Sequence, residues 1–247
     1  MACMIFISKC KYYLSKEYSA GGSYDQDGNQ KKIGNWVELD QQFDKQLTYI
    51  GEYNLQGMKI GRWDSMYDTY KQIGGGSYDK DGNQKKIGMW VELDEKFKSN
   101  QFTYSGEYNM QCMKIGRWDS LFENKKLQIL FKYKKYSGGG SYDKDGNQKK
   151  IGMWVELDEK FKSNQFTYSG EYNMQGMKIG RWDSFYDGYK QIGGGSYGSS
   201  DGYGNQKKIG KWIELDEGFN WSKQVAYSGQ YNMQGMKIGN WVNINIK

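Results

Sequence analysis

Four times along the chain two carboxylates stand one residue apart, at Glu38 and Asp40, Glu92 and Asp94, Glu156 and Asp158, and Glu214 and Asp216. On a strand that spacing puts both groups on one face, as an acid/base pair requires. A catalytic site usually occurs once, however, and four copies in one setting predict solvated edges or cross-strand pairs. A second pattern, Asp25-x-Asp27-Gly-Asn29, returns at Asp79 to Asn83 and at Asp143 to Asn147, and it has the opening of a calcium loop. An EF-hand needs Gly at position six and Glu at twelve; here Gly stands at four, and Trp90 holds twelve in the second copy. The fourth copy, Gly198 to Asn205, loses the first Asp. Asp, Asn and Gly are also what a tight turn wants, and a turn is the expectation.

Other chemistry is thinly provided. The chain has no histidine, which removes the commonest general base, the Ser–His and Cys–His nucleophile pairs and most zinc sites. Cys3, Cys10 and Cys112 are odd in number and share no metal-type spacing, which suits a reduced cytosol. The Gly-Gly-Gly runs lack the Lys-Ser/Thr of a phosphate loop. Asn220-Trp-Ser222 fits a glycosylation acceptor, a triplet also expected by chance. No catalytic residue, metal ligand or cofactor is expected, and the chain reads as a non-enzyme.

The formal charge of +6 is unevenly placed. Residues 121–136 hold five Lys and one Glu, and residues 1–18 hold three Lys and one Glu, so the remaining chain is neutral. Lys125, Lys126, Lys132, Lys134 and Lys135 are interleaved with Leu, Ile, Phe and Tyr, a mixture that an anionic membrane surface attracts. A longer connecting strand with a solvated lysine edge has the same composition. A membrane or acidic partner and a plain edge both stay open for this segment; nucleic acid is not expected. Lys31-Lys32 and its equivalents would form a basic ladder if the modules stacked in register.

The 247 residues include 34 Gly, 22 Tyr and 9 Trp and no Pro. Richness in aromatics argues against disorder. No apolar stretch approaches the roughly 18 residues of a membrane helix. The start, Met1 to Ser8, lacks a basic n-region and a full apolar core, so no secretory leader is expected.

What must position these side chains is a repeat. Gly-Gly-Ser-Tyr recurs with its Ser at 23, 77, 141 and 196, and residues 74–120 and 138–184 are identical except for Cys112 against Gly176. Within each long repeat Gly-x-Trp appears twice, ending at Trp36, Trp63, Trp90, Trp118, Trp154, Trp182, Trp212 and Trp241. Eight modules follow. The long repeats run about 20–73, 74–137, 138–192 and 193–247, after an N-terminal segment 1–19 that looks like part of a further module.

Each module reads as a β-hairpin. If Asn54 faces Met58, the loop is Leu55-Gln56-Gly57, with Gly57 in a left-handed bulge conformation. That register puts Tyr49, Gly51, Tyr53, Lys59, Gly61 and Trp63 on one face, where glycines leave notches for rings. The alternate module has a turn two residues longer, and its Ile33, Val37 and Leu39 line the face opposite Trp36. Glu52 and Arg62 fall diagonally across the strands. Their equivalents recur as Glu107 with Arg117 and Glu171 with Arg181, and change together to Gln230 and Asn240, which suggests a cross-strand ion pair. Glycine this frequent excludes helix.

The frame Tyr-x-Gly-x-Tyr-Asn-x-x-Gly-x-x-x-Gly-x-Trp, clearest over Tyr168 to Trp182, resembles the MORN repeat family. The continuation Trp182-Asp-Ser-Phe-Tyr186 looks like the variant found in bacterial antitoxins of the YwqK kind. The resemblance spans about residues 20–245; the modules beginning at Gly22, Gly75, Gly139 and Gly195 depart from it by their longer turn. It implies an elongated, twisted antiparallel sheet of tandem hairpins, used for scaffolding or for docking at membranes, and it carries no catalytic residues. The expectation is therefore an all-β array of eight hairpins acting as a scaffold that binds proteins, in the cytoplasm or at cytoskeletal or membrane-associated structures. A peripheral tether on anionic lipid is the alternative.

Overall fold

A computed structural model describes residues 20–40, 47–67, 71–94, 102–122, 136–158, 166–186, 189–198, 206–219 and 223–246. Sixteen strands and no helix occur among them. The strands are β1 Gly21–Tyr24, β2 Lys32–Leu39, β3 Leu47–Tyr53, β4 Lys59–Tyr67, β5 Lys71–Tyr78, β6 Lys86–Leu93, β7 Phe102–Tyr108 and β8 Lys114–Phe122. They continue as β9 Tyr136–Tyr142, β10 Lys150–Leu157, β11 Phe166–Tyr172, β12 Lys178–Tyr186, β13 Lys190–Gly198, β14 Lys207–Leu215, β15 Val225–Tyr231 and β16 Lys237–Asn245. Hydrogen-bonded neighbours are consecutive in sequence and antiparallel, as a chain of hairpins requires. The chain is all-β, and its strands correspond to the eight hairpin modules.

It divides into two compact units, one up to Met113 and one from Lys114, with residues 100–102 counted to the second. In the first unit one core cluster is Trp36, Tyr53 and Trp63, flanked by Tyr49 and Tyr78, and Leu47, Trp90 and Tyr108 are buried as well. In the second it is Trp154, Tyr172 and Trp182, flanked by Tyr142, Tyr168 and Tyr197. A separate cluster of Phe166, Ile192 and Phe219 forms there, with Leu215 and Ile246 against it.

The turns follow the expected register. Asn54 N–H donates to Met58 O at 2.9 Å, Gly57 N–H donates to Asn54 O at 3.0 Å, and Gly57 has φ +80°. In the longer turn Asp25 N–H donates to Lys31 O, and the Asp25 carboxylate accepts the Lys31 N–H at 3.1 Å. Asp79 and Asp143 hold the same place, bonded to the Lys85 and Lys149 amides. The first Asp of the calcium-like pattern is thus an internal cap of its own turn. Among the described residues no group of acidic and cysteine side chains could hold a metal ion.

Farther along the hairpin the register departs from the simple one. Glu52 faces Ile60, but Ile50 faces Asp64, so three residues of β4 (Gly61, Arg62 and Trp63) stand against Gly51 alone. Gly61 has φ +61°, a left-handed backbone. Two extra residues preserve the alternation of faces while letting the indole of Trp63 swing across β3. A Cβ on Gly51 would lie only 2.2 Å from that ring. Gly22, Gly76, Gly140, Gly170, Gly195 and Gly229 lie under Trp36, Trp90, Trp154, Trp182, Trp212 and Trp241 in the same way. The glycine notches expected from the sequence are filled by tryptophan rings.

The bulge also corrects the expected ion pair. Arg62 Nε reaches Asp64 Oδ1 at 2.7 Å, and Arg117 and Arg181 reach Asp119 and Asp183 at 2.6 Å. The last module has Asn240 and Val242 at these two positions, so arginine and its actual partner are lost together.

Candidate functional site

Every Gly-x-Trp is preceded by Lys-Ile, which places a lysine four residues before each of the eight tryptophans. The bulge lets that lysine fold over its own ring. Lys59 Nζ lies 3.8 Å from the Trp63 ring centre, Lys114 3.9 Å from Trp118, Lys178 3.8 Å from Trp182 and Lys237 4.0 Å from Trp241. In the other module of each pair the distances are longer, 4.7 Å for Lys32 over Trp36 and 4.6 Å for Lys208 over Trp212. A cation so placed is attracted by the ring quadrupole.

One carboxylate gathers each pair of lysines. Glu38 Oε1 takes Lys32 and the Tyr53 hydroxyl, at 2.7 Å from the latter, while Oε2 takes Lys59 at 3.0 Å. Glu156 has the same arrangement with Lys150, Tyr172 and Lys178, and Glu214 with Lys208, Tyr231 and Lys237. Glu92 binds Lys86 and Tyr108. The second carboxylate of the sequence pair faces a different tyrosine: Asp40 accepts from Tyr49 at 2.9 Å, and Asp158 from Tyr168 at 2.8 Å.

This setting fixes the protonation states. Burial would lift the Glu38 and Glu156 carboxyls, but bonds from two lysines and a tyrosine outweigh it and hold both below the ordinary value. Glu214 is held down to about 2 against the same burial. The tyrosines move the opposite way: burial, then the adjacent carboxylate, pushes Tyr49, Tyr53, Tyr168, Tyr172 and Tyr231 well above 10. Glu38, Glu156 and Glu214 are thus kept as anions inside a neutralising cage, a poor state for a proton donor.

Under the lysines runs an edge-to-face ring ladder. From Tyr24 it passes through Trp36, Tyr53, Trp63, Tyr78, Trp90 and Tyr108, with centroids 5.0–6.4 Å apart and planes 78–88° to one another. In the second unit it runs from Tyr142 through Trp154, Tyr172, Trp182, Tyr197, Trp212 and Tyr231 to Trp241. Such contacts contribute about 0.5–1.5 kcal/mol each beyond area burial. Trp36, Trp63, Trp90, Trp118, Trp154, Trp182 and Trp212 are buried, and Trp241 is partly so. The buried indoles serve as the frame, while Tyr24 at the start of the ladder is exposed.

The short turns carry what the frame leaves exposed. Leu55, Met110, Met174 and Met233 occupy the same loop position and are 64–75% exposed. Met58, Met113 and Met236 stand three residues on and are also open. These turns are held rigid: Asn54 Oδ1 accepts the Gln56 and Met58 amides, as Asn109, Asn173 and Asn232 do in their own turns. The long turn after β5 also braces the Asn54 turn, since Gln84 Oε1 accepts the Lys59 N–H at 3.4 Å and its amide approaches Met58.

Of the residues singled out in the sequence, the repeat tryptophans come together in the ladder. Of the lysine ladder, Lys32, Lys86, Lys150 and Lys208 are taken by glutamates, whereas Lys31, Lys85 and Lys149 are exposed. Lys125, Lys126, Lys132, Lys134 and Lys135 lie outside the described residues, as do Cys3, Cys10 and the Asn220 triplet. The lysine caps and the apolar turn tips were both missed. Their signals were the fixed Lys-Ile-Gly-x-Trp spacing and the recurring Met-Gln-Gly-Met loop. No protein-family model and no curated protein matches the chain.

Proposed function

We propose that the chain is a non-catalytic docking protein that binds other proteins through its extended β surface, with the apolar turn tips as contact points. One observation carries the reading: four large apolar side chains are exposed at the same position of four turns, each closed by an asparagine side chain, on a frame seven of whose eight repeat tryptophans are buried. Thioether side chains adapt to varied partner surfaces and are over-used at binding sites for that reason. Exposed apolar groups set out on a rigid scaffold pay little ordering entropy when a partner covers them. The MORN-like frame agrees with a scaffold role. The test replaces Leu55, Met110, Met174 and Met233 with Ser and compares the proteins that variant and parent retain from native extract. Unchanged melting with loss of the specifically retained set supports the reading; an unchanged set refutes it.

A second reading rests on charge placement. The net positive charge sits in residues 1–18 and 121–136, so a peripheral tether on anionic lipid would act through Lys125, Lys126, Lys132, Lys134 and Lys135. Replacing these five with Gln should then abolish salt-sensitive sedimentation with anionic vesicles. If the parent does not sediment at low salt, this reading falls.

A further inference from the structure

Strand β16 repeats the part played by β4, β8 and β12, each of which carries the next Gly-Gly-Ser-Tyr strand on its far side. Gly180 faces Tyr197, Trp182 faces Gly195 and Asp183 faces Gly194 across β12 and β13, and the same pairing recurs between β4 and β5 and between β8 and β9. No strand lies beyond β16 among the described residues, and none precedes β1. Both edges show what that interior contact would cover. Trp63 and Trp182 are 4% exposed, each with the tyrosine of the following strand 6.4 Å away. Among the described residues Trp241 has no such tyrosine, and it is only partly buried; Val242 is 53% exposed. On β1 the corresponding tyrosine, Tyr24, is 55% exposed.

We propose that β16 of one copy pairs with β1 of a second copy in the interior register, setting Trp241 over against Gly22 and Tyr24 opposite Gly239. Two features of the edges favour this occupant. Gly21 already has φ +142°, close to the +120° to +129° of Gly75, Gly139 and Gly194, whose missing Cβ makes room for the carbonyl of the preceding tryptophan. At Gly21 nothing among the described residues lies within 4 Å of a Cβ, where the other three have that carbonyl. The other edge is the only β-strand of its kind to lack the Arg/Asp pair, having Asn240 and Val242 instead. Charges are what blunt an exposed edge, and this edge has shed them. The two surfaces differ, so the contact is heterologous and propagates into open chains of copies.

The test uses the full chain with Cys3→Ser, Cys10→Ser and Cys112→Gly. One preparation also carries Ser23→Cys and another Asn240→Cys, positions that the register places opposite one another, within disulfide reach. On mixing under mild oxidation, the linked pair should form several-fold faster than in either preparation alone. Sedimentation of the parent should show mass rising with concentration beyond a dimer. A monomer at every concentration overturns the proposal. So does a closed dimer linked only between two Asn240→Cys copies, or a doubly substituted chain that links within itself.

Discussion

Cys112 takes the loop position that Gly57, Gly176 and Gly235 hold elsewhere, and it has φ +66°. A residue with a Cβ costs roughly 1–2 kcal/mol in that region. Cys112→Gly should stabilise the fold by about that amount, read as a higher denaturant midpoint, and Gly176→Cys should lower it, a reciprocal pair that the duplicated sequence makes possible. A lower midpoint for the glycine variant would contradict the turn. The carboxylate cages set a dependence on pH. The carboxyls of Glu38, Glu156 and Glu214 titrate lower folded than unfolded, so their contribution is whole above the ordinary value of 4.5. It drains away as the pH falls through the folded values, about 2 for Glu214. The buried tyrosines are raised, so their contribution is whole below 10 and is lost as the pH climbs through the folded values, about 12 for Tyr104. Denaturation midpoints should therefore be flat between roughly pH 5 and 9 and fall on both sides. Tyrosine ionisation followed by ultraviolet absorbance should begin later in the folded protein than in denaturant; coincident curves would refute the hydroxyl–carboxylate bonds.

At the scale of the hairpin, the glycine under each indole is steric in origin. Gly51 has no positive φ, so Gly51→Ala tests space alone, with its Cβ directed 2.2 Å from the Trp63 ring. Overpacking of this kind costs about 1–3 kcal/mol, occasionally more. The loss should shrink when Trp63→Leu is added, and a full loss in the double variant would show that the ring was not the obstacle. The hairpins, their turns and their faces could be read from the sequence because each depends on neighbours a few residues away: Asn54 to Met58 is a local bond, and alternation is a local rule. The two-residue bulge could not. It arises where Trp63 meets a glycine on another strand, a tertiary fit that Gly-x-Trp spacing does not reveal by itself. Misplacing it moved Arg62 from Asp64 to Glu52. The glutamate cages were missed for a related reason, since Glu38 gathers Lys32 from its own strand and Lys59 from two strands away.

Within each unit strands pair with their neighbours in sequence, so stability is built from repeat and interface contributions. Deleting residues 138–192 would join Ser137 to Gly193, which opens another Gly-Gly-Gly-Ser-Tyr strand in place of Gly138. The shortened protein should fold with the same near-ultraviolet signature per tryptophan. Its denaturant slope should fall by about a fifth, in step with the surface removed. Collapse of the signature would mean that the array depends on a particular long repeat. Sequential pairing also bears on how the chain reaches this state. Contacts between consecutive strands close short loops, a low contact order that favours rapid zippering from any hairpin. Yet residues 74–120 and 138–184 are the same at every position but one. A growing sheet can therefore accept either copy with almost equal gain, omitting the chain between them as a loop. Speed and fidelity then pull in opposite directions during refolding, and the misassembled sheet would have to unzip before the omitted strands could enter.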